Sequence, residues 1–259
     1  MSGQAATLVA SVPFPPSVED FFLPGWHYPW VTKFTALVWI AVAVLIVFFL
    51  VTYRNPKIVP GKWQWISESI YGFVRGTATD TIGPEGARFA PYLACLFSFL
   101  LLTNLMSIIP LIQISPNSHI AFPLIFAVLS WLLYNYVGVR KFGARKYLKT
   151  QLFPPNVPWV MYFLITPLEF LQVFILRPFT LALRLFANMF AGHVILLVFS
   201  LGGFVLLGAN SVALRPVSIV SWALAIALTF LEALIAVLQA YVFILLTSSY
   251  IQGSLADEH

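Results

Sequence analysis

The sequence predicts an all-α membrane protein with five transmembrane helices plus one interfacial amphipathic helix, the last two spans long and tilted. Three observations carry this reading. Hydrophobic residues make up 60% of the 259 residues and charged ones only 9%, against about 25% charge in a soluble domain. The apolar residues run in long stretches rather than alternating, which selects helices over a barrel, because backbone groups in lipid must pair within a segment or a closed barrel. The basic residues gather in short loops between those stretches, so the net charge of +5 reads as membrane orientation and not as nucleic-acid binding.

Residues 1–30 are irregular and rich in proline and aromatics, with Trp26, Tyr28 and Trp30 fitting an interfacial belt. Residues 1–18 lack a basic start and carry Pro13, Pro15 and Pro16, so no secretory signal is expected. The first span covers 32–53, and a basic loop with Arg54, Lys57 and Lys62 comes next. Residues 63–80 form the amphipathic helix. Ile66, Ile70, Phe73 and Thr77 share one face, and Glu68 and Arg75 make it too polar to span, which places it on the membrane surface. Arg75 interrupts Gly72-x-x-x-Gly76, so no glycine packing motif is expected there.

The second span covers 88–112 and the third 118–139, joined by the uncharged turn Gln113–Asn117. A basic loop carries Arg140, Lys141, Arg145, Lys146 and Lys149. The fourth span, 159–201, is interrupted by Pro167 and Pro178, and the fifth covers 217–252. Both far exceed the ~20 residues that cross a bilayer, so they tilt, curve or kink, with the prolines as a cause. The basic loops orient the chain with its N-terminus outside and its C-terminus in the cytoplasm. The whole chain, 1–259, reads as one membrane domain: an extracytoplasmic segment to residue 31, then the helices. The single Cys95 excludes a disulfide framework and a CxxC metal site, and is read as a packing residue. Gly61-Lys62 lacks the preceding glycine of a phosphate loop. No cofactor or metal is expected.

Glu169, Arg184, His193 and Glu232 lie inside the two long stretches. A charge at the centre of a span is costly, so such residues face a cavity or a partner and mark function. Arg184, within Leu181–Phe186, lies too deep to snorkel. Its guanidinium stays protonated, so it holds a fixed positive charge where a carboxylate must release a proton. A structural ion pair is the competing reading. Arg177, seven residues earlier, fits a headgroup contact or a channel role equally.

At about 100° per residue, Asn188 lies about 40° round from Arg184 and His193 about 180°, facing away. Glu232 and Gln239 share a face of the last span. One antiparallel register sets Arg184 level with Gln239, which can hydrogen-bond the guanidinium, and His193 level with Glu232. That second pairing, an imidazole with a carboxylate, suits an outer proton relay; a packing histidine is the alternative. Glu169 lies toward the cytoplasm, lining an inward path or resting near the interface. Asn104, Ser107 and His119 add polarity near the outer end and together wet one outer cavity.

The run Arg177–His193, RPFTLALRLFANMFAGH, resembles the fourth-span signature of the subunit a family of F-type ATP synthases. So do Leu238–Phe243 (LQAYVF), Val59–Lys62 (VPGK), and Thr103-Asn104-Leu105-Met106 with Pro110. The likeness runs in order from about residue 32 to the last span. It implies a stator beside a rotating ring of small hairpin subunits, each with one membrane carboxylate, together with the peripheral-stalk subunit b. It implies no bond-making site on this chain. Two half-channels carry protons to and from the ring, and Arg184 matches the essential arginine between them, Asn188 its neighbouring asparagine and Gln239 the glutamine.

Family members carry an acid and an imidazole at the two outer positions. Here His193 and Glu232 stand in the reverse order from many bacterial members, which supports contact between them. Ser107 stands where some members carry an acid. A bacterial plasma membrane is implied ahead of the mitochondrial inner membrane. The rival reading is a proton-coupled secondary transporter, which would show inverted repeats; the sequence displays no convincing one.

Overall fold

A computed structural model describes residues 33–109, 115–153, 161–208 and 215–256. The expected N-terminal belt of Trp26, Tyr28 and Trp30 lies outside them. Regular structure among the described residues is entirely helical: α1 Lys33–Tyr53, α2 Lys62–Ile82, α3 Ala90–Leu105, α4 Ala121–Phe142, α5 Ala144–Leu152, α6 Tyr162–Leu171, α7 Arg177–Gly208 and α8 Arg215–Leu255. A wide π-turn, Gln172–Leu176, joins α6 to α7. Five stretches are long and apolar enough to cross a membrane: Phe34–Tyr53, Ala90–Ile108, Ala121–Phe142, Tyr162–Gly208 and Pro216–Leu255. They are the five expected spans. The 41 residues of α8 make about 60 Å of helix, roughly twice the hydrocarbon thickness.

The core forms where α2, α3, α4, α7 and α8 meet. Ala78, Ala94, Ala127, Ala182 and Ala240 pack there among Leu93, Leu100, Leu185, Phe243 and Ile244. Lipid gives apolar side chains no reason to leave it, so close van der Waals packing holds such helices together, and small residues permit it. α1 is peripheral: Ala41 is buried beside Phe99 and Met106, while Trp39 is 73% exposed.

Several details depart from the sequence reading. α2 turns only part of its expected apolar face inward: Ile70 packs against the core and Phe73 against Phe97 and Tyr241, while Ile66 is exposed and Val74 and Ala78 are the apolar residues fully buried. An added Cβ at Gly72 or Gly76 meets nothing within 4 Å. Cys95 is exposed and is not a packing residue, since the inward face of α3 is filled by Leu93, Ala94, Leu96 and Phe97.

The basic loop after the third span is mostly helix. Gly143, at φ 82°, stops α4 in a conformation that favours glycine. Residues 144–152 then rewind as α5, anchored by buried Tyr147. Burial pushes the pKa of the Tyr147 phenol up, so it keeps its proton and donates it to Asn135 Oδ1 at 3.1 Å. In the second and third spans, α3 ends at Leu105 and α4 begins at Ala121, shorter at facing ends than expected; between them Pro116–Ser118 forms a 3₁₀ turn whose polar groups serve the site below.

Candidate functional site: two polar clusters on one helix pair

α7 and α8 lie side by side, and Arg184, Asn188, His193, Glu232 and Gln239 fall in two places on them. The first is buried. His193 Nδ1 lies 3.6 Å from Glu232 Oε1, with the two side chains only 7% and 5% exposed. At that separation the groups are in close contact, beyond good hydrogen-bond length. Gly192 makes room for the acid: a Cβ built there would stand 3.2 Å from Glu232 Oε1.

The other ring nitrogen, Nε2, accepts the backbone N–H of Ser115 at 3.1 Å. An amide can only donate, so Nε2 is the acceptor and the proton of a neutral ring is assigned to Nδ1, toward Glu232. The Glu232 oxygens have no hydrogen-bond partner among the described residues. Ser107 lies beside the acid, but its single hydroxyl proton goes to the Asn104 carbonyl at 2.7 Å.

A polar network backs this pair. The Asn117 amide donates to Asn104 Oδ1 at 2.7 Å and to Thr103 Oγ1 at 2.9 Å. The Asn104 amide donates to the carbonyl of Ala236 at 3.2 Å, four residues past Glu232. Ser115 Oγ donates to the carbonyl of Thr103 at 3.0 Å. Sequence reasoning named Asn104 and Ser107 but missed Thr103, Ser115 and Asn117. The available signal was the uncharged, Ser- and Asn-bearing turn between two apolar spans. The His119 ring packs between Phe34 and Phe122, at 5.6 and 6.2 Å, and the contact on His193 Nε2 comes from the Ser115 main chain.

The second cluster is open. Arg184 and Asn188 are exposed, on a stripe that also contains Thr180, Ala187, Ala191 and Ile195. Arg184 makes no ion pair among the described residues. Gln239 is buried and accepts the Asn188 amide at 2.8 Å, so the expected Arg184–Gln239 pairing does not form. Arg184 stands about a helical turn from Asn188 along the exposed stripe.

Toward the basic end, a cleft of about 630 Å³ opens between the start of α7 and the end of α8, lined by residues including Gln172, Arg177, Thr180, Ser249, Tyr250 and Gln252. The Arg177 guanidinium lies over the Tyr250 ring at 5.3 Å. Glu169, half-buried on α6, makes no ion pair among the described residues and stands three residues before Gln172.

Known proteins resemble this chain over nearly its whole length. The family described as ATP synthase A chain matches residues 35–252. The chain belongs to that family. Proteins named ATP synthase subunit a resemble it closely: one from a Nocardioides species is 44% identical, covering 95% of this chain and 94% of its own. One from Rhodococcus erythropolis is 41% identical over 98% and 94%, and one from Frankia alni 42% over 94% and 87%. The stretch matching the ATP synthase A chain family contains both polar clusters and Glu169, and five apolar spans make the chain a multi-pass membrane protein.

Proposed function

We propose that this chain is the proton-conducting stator of an F-type ATP synthase, a single membrane domain with two half-channels separated by Arg184. One observation carries the reading: a permanent cation stands exposed on a membrane span without an anion on its own chain among the described residues. Such a charge requires a partner, and a carboxylate on an adjacent ring of small hairpin subunits supplies it. Ala187 and Ala191 beside it let a second helix approach closely.

In this reading protons enter from outside past Asn104, Ser107, Asn117, His193 and Glu232. The proton on His193 Nδ1 faces a carboxylate oxygen free to accept it. A neutralised ring acid then travels through lipid without the cost of a bare charge. On return it meets Arg184, whose fixed charge favours release toward the cleft at Gln172, Arg177 and Ser249, with Glu169 nearby. The same charge repels protons and blocks a direct leak. Each proton crossing gains about 2.3 kcal/mol per 100 mV.

The basic loops support a cytoplasmic C-terminus, and the bacterial relatives support a plasma membrane. Subunit b of the peripheral stalk is the second partner. The test is ATP-driven acidification of inverted vesicles carrying Arg184→Ala. Loss of pumping with a normal amount of assembled complex is expected; undiminished pumping overturns the proposal.

A further inference from the structure

The fourth span contains one turn that is a residue too wide. Across Gln172–Leu176 the amide of Arg177 donates to the carbonyl of Gln172, five residues back. In an α-helix that amide would serve Val173. The next amide, which a wide turn would offer Val173, belongs to Pro178 and does not exist. The Val173 carbonyl is therefore left over by covalent structure, on a residue with no exposed surface, in a span where lipid has no donor to give.

Tyr134 of α4 fills the gap. Its hydroxyl donates to the Val173 carbonyl at 3.2 Å, and the side chain is almost wholly buried. The Tyr134 ring leans on that of Tyr250 at 5.6 Å, the same ring that carries the Arg177 guanidinium. The phenol thus joins α4, the π-turn and the end of α8 at one point.

We infer that Tyr134 is a positioning residue whose hydroxyl keeps this turn wide and thereby sets the rotation of α7 about its axis. Without that donor the Arg177 amide returns to Val173 and the turn narrows to an α-turn. A one-residue change of register rotates the rest of α7 by about 100°. That rotation takes Arg184 and Asn188 off the exposed stripe and His193 away from Glu232. The inference rests on the role proposed for Arg184, since it concerns how that residue is aimed.

The test uses inverted vesicles holding the whole complex, with pumping normalised to the amount of this subunit in the membrane. Tyr134→Phe keeps the ring and removes only the donor; pumping falls about tenfold. Pro178→Ala restores an amide at position 178, four residues after Phe174, where an α-turn uses it, so it favours the narrow turn even with Tyr134 in place. Pro178→Ala alone therefore loses pumping as Tyr134→Phe does, and the double variant Tyr134→Phe/Pro178→Ala loses no more than either single one, a non-additivity that a role of Tyr134 in ring packing alone would not produce.

If Tyr134→Phe instead lowers the amount of subunit in the membrane, Pro178→Ala lowers it likewise and the double variant lowers it no further. Normal pumping by Tyr134→Phe, or losses in pumping or amount that add up in the double variant, overturns the inference. Arg184→Ala, run alongside, separates the two ideas. If it pumps normally, the functional reading fails; if it is silent while Tyr134→Phe is normal, only the positioning role fails.

Discussion

The two polar clusters on α7 and α8 are opposites. His193 and Glu232 are sealed inside the chain, backed by Asn104, Thr103, Ser115 and Asn117 from the second span and the turn after it. Arg184 and Asn188 stand on the outer surface of the same helix pair. The first cluster holds its partners within one subunit, so its geometry is fixed before assembly. The second is half of a site. A charge left uncovered in a span is a cost that a partner removes, and under the proposed function the difference separates residues that prepare a proton path from those that meet the ring.

After the loss of pumping expected for Arg184→Ala in the open cluster, the largest effect comes from breaking the closed pair asymmetrically. His193→Glu puts two carboxylates within about 4 Å in a buried site, where both cannot ionise together. Pumping by inverted vesicles falls by about 10²-fold. Adding Glu232→His restores one acid and one imidazole and returns pumping to within about tenfold of the parent. A double exchange no better than the single one would show that the pair does not act as a unit.

The next effect is on stability and distinguishes the clusters by their surroundings. Asn117→Ala removes two buried hydrogen bonds and leaves Asn104 Oδ1 without its donor. Loss of about 1–2 kcal/mol is expected, measured as a lower unfolding midpoint of the purified complex in detergent. Asn188→Ala removes one part-buried bond to Gln239 and shifts that midpoint less. An equal shift would remove the contrast between sealed and open sites.

Much of this was legible in the sequence because lipid makes the pattern coarse. An apolar run long enough to cross can be little else, and the fifth span, expected at 217–252, is observed as Arg215–Leu255. The contact of His193 with Glu232 was legible from antiparallel depth. Finer features depended on hydrogen-bond direction, which spacing does not reveal. Gln239 bonds Asn188 and not Arg184, although the register set by His193 and Glu232 leaves the two equally far from its level. Pro178 announced an interruption but not its form: a missing amide is compatible with a kink, and the π-turn relies on Tyr134, 39 residues away. Ser115 reaches His193 through its main chain, which no side-chain pattern marks.

The smallest effect tests how tightly the closed site is built. A methyl at Gly192 would stand 3.2 Å from Glu232 Oε1 and 3.3 Å from its carboxyl carbon, closer than ordinary contact. On the helix side nothing yields, so the carboxylate must shift by a few tenths of an ångström relative to His193. A full ångström of misplacement costs proton-transfer geometry up to about 10²-fold, so Gly192→Ala should reduce pumping by about two- to threefold with normal assembly. Gly72→Ala on α2 is the control, because an added Cβ there meets nothing within 4 Å; it should pump as the parent does. Equal behaviour of the two variants would mean that Glu232 has slack, and that the relay tolerates more movement than its burial implies.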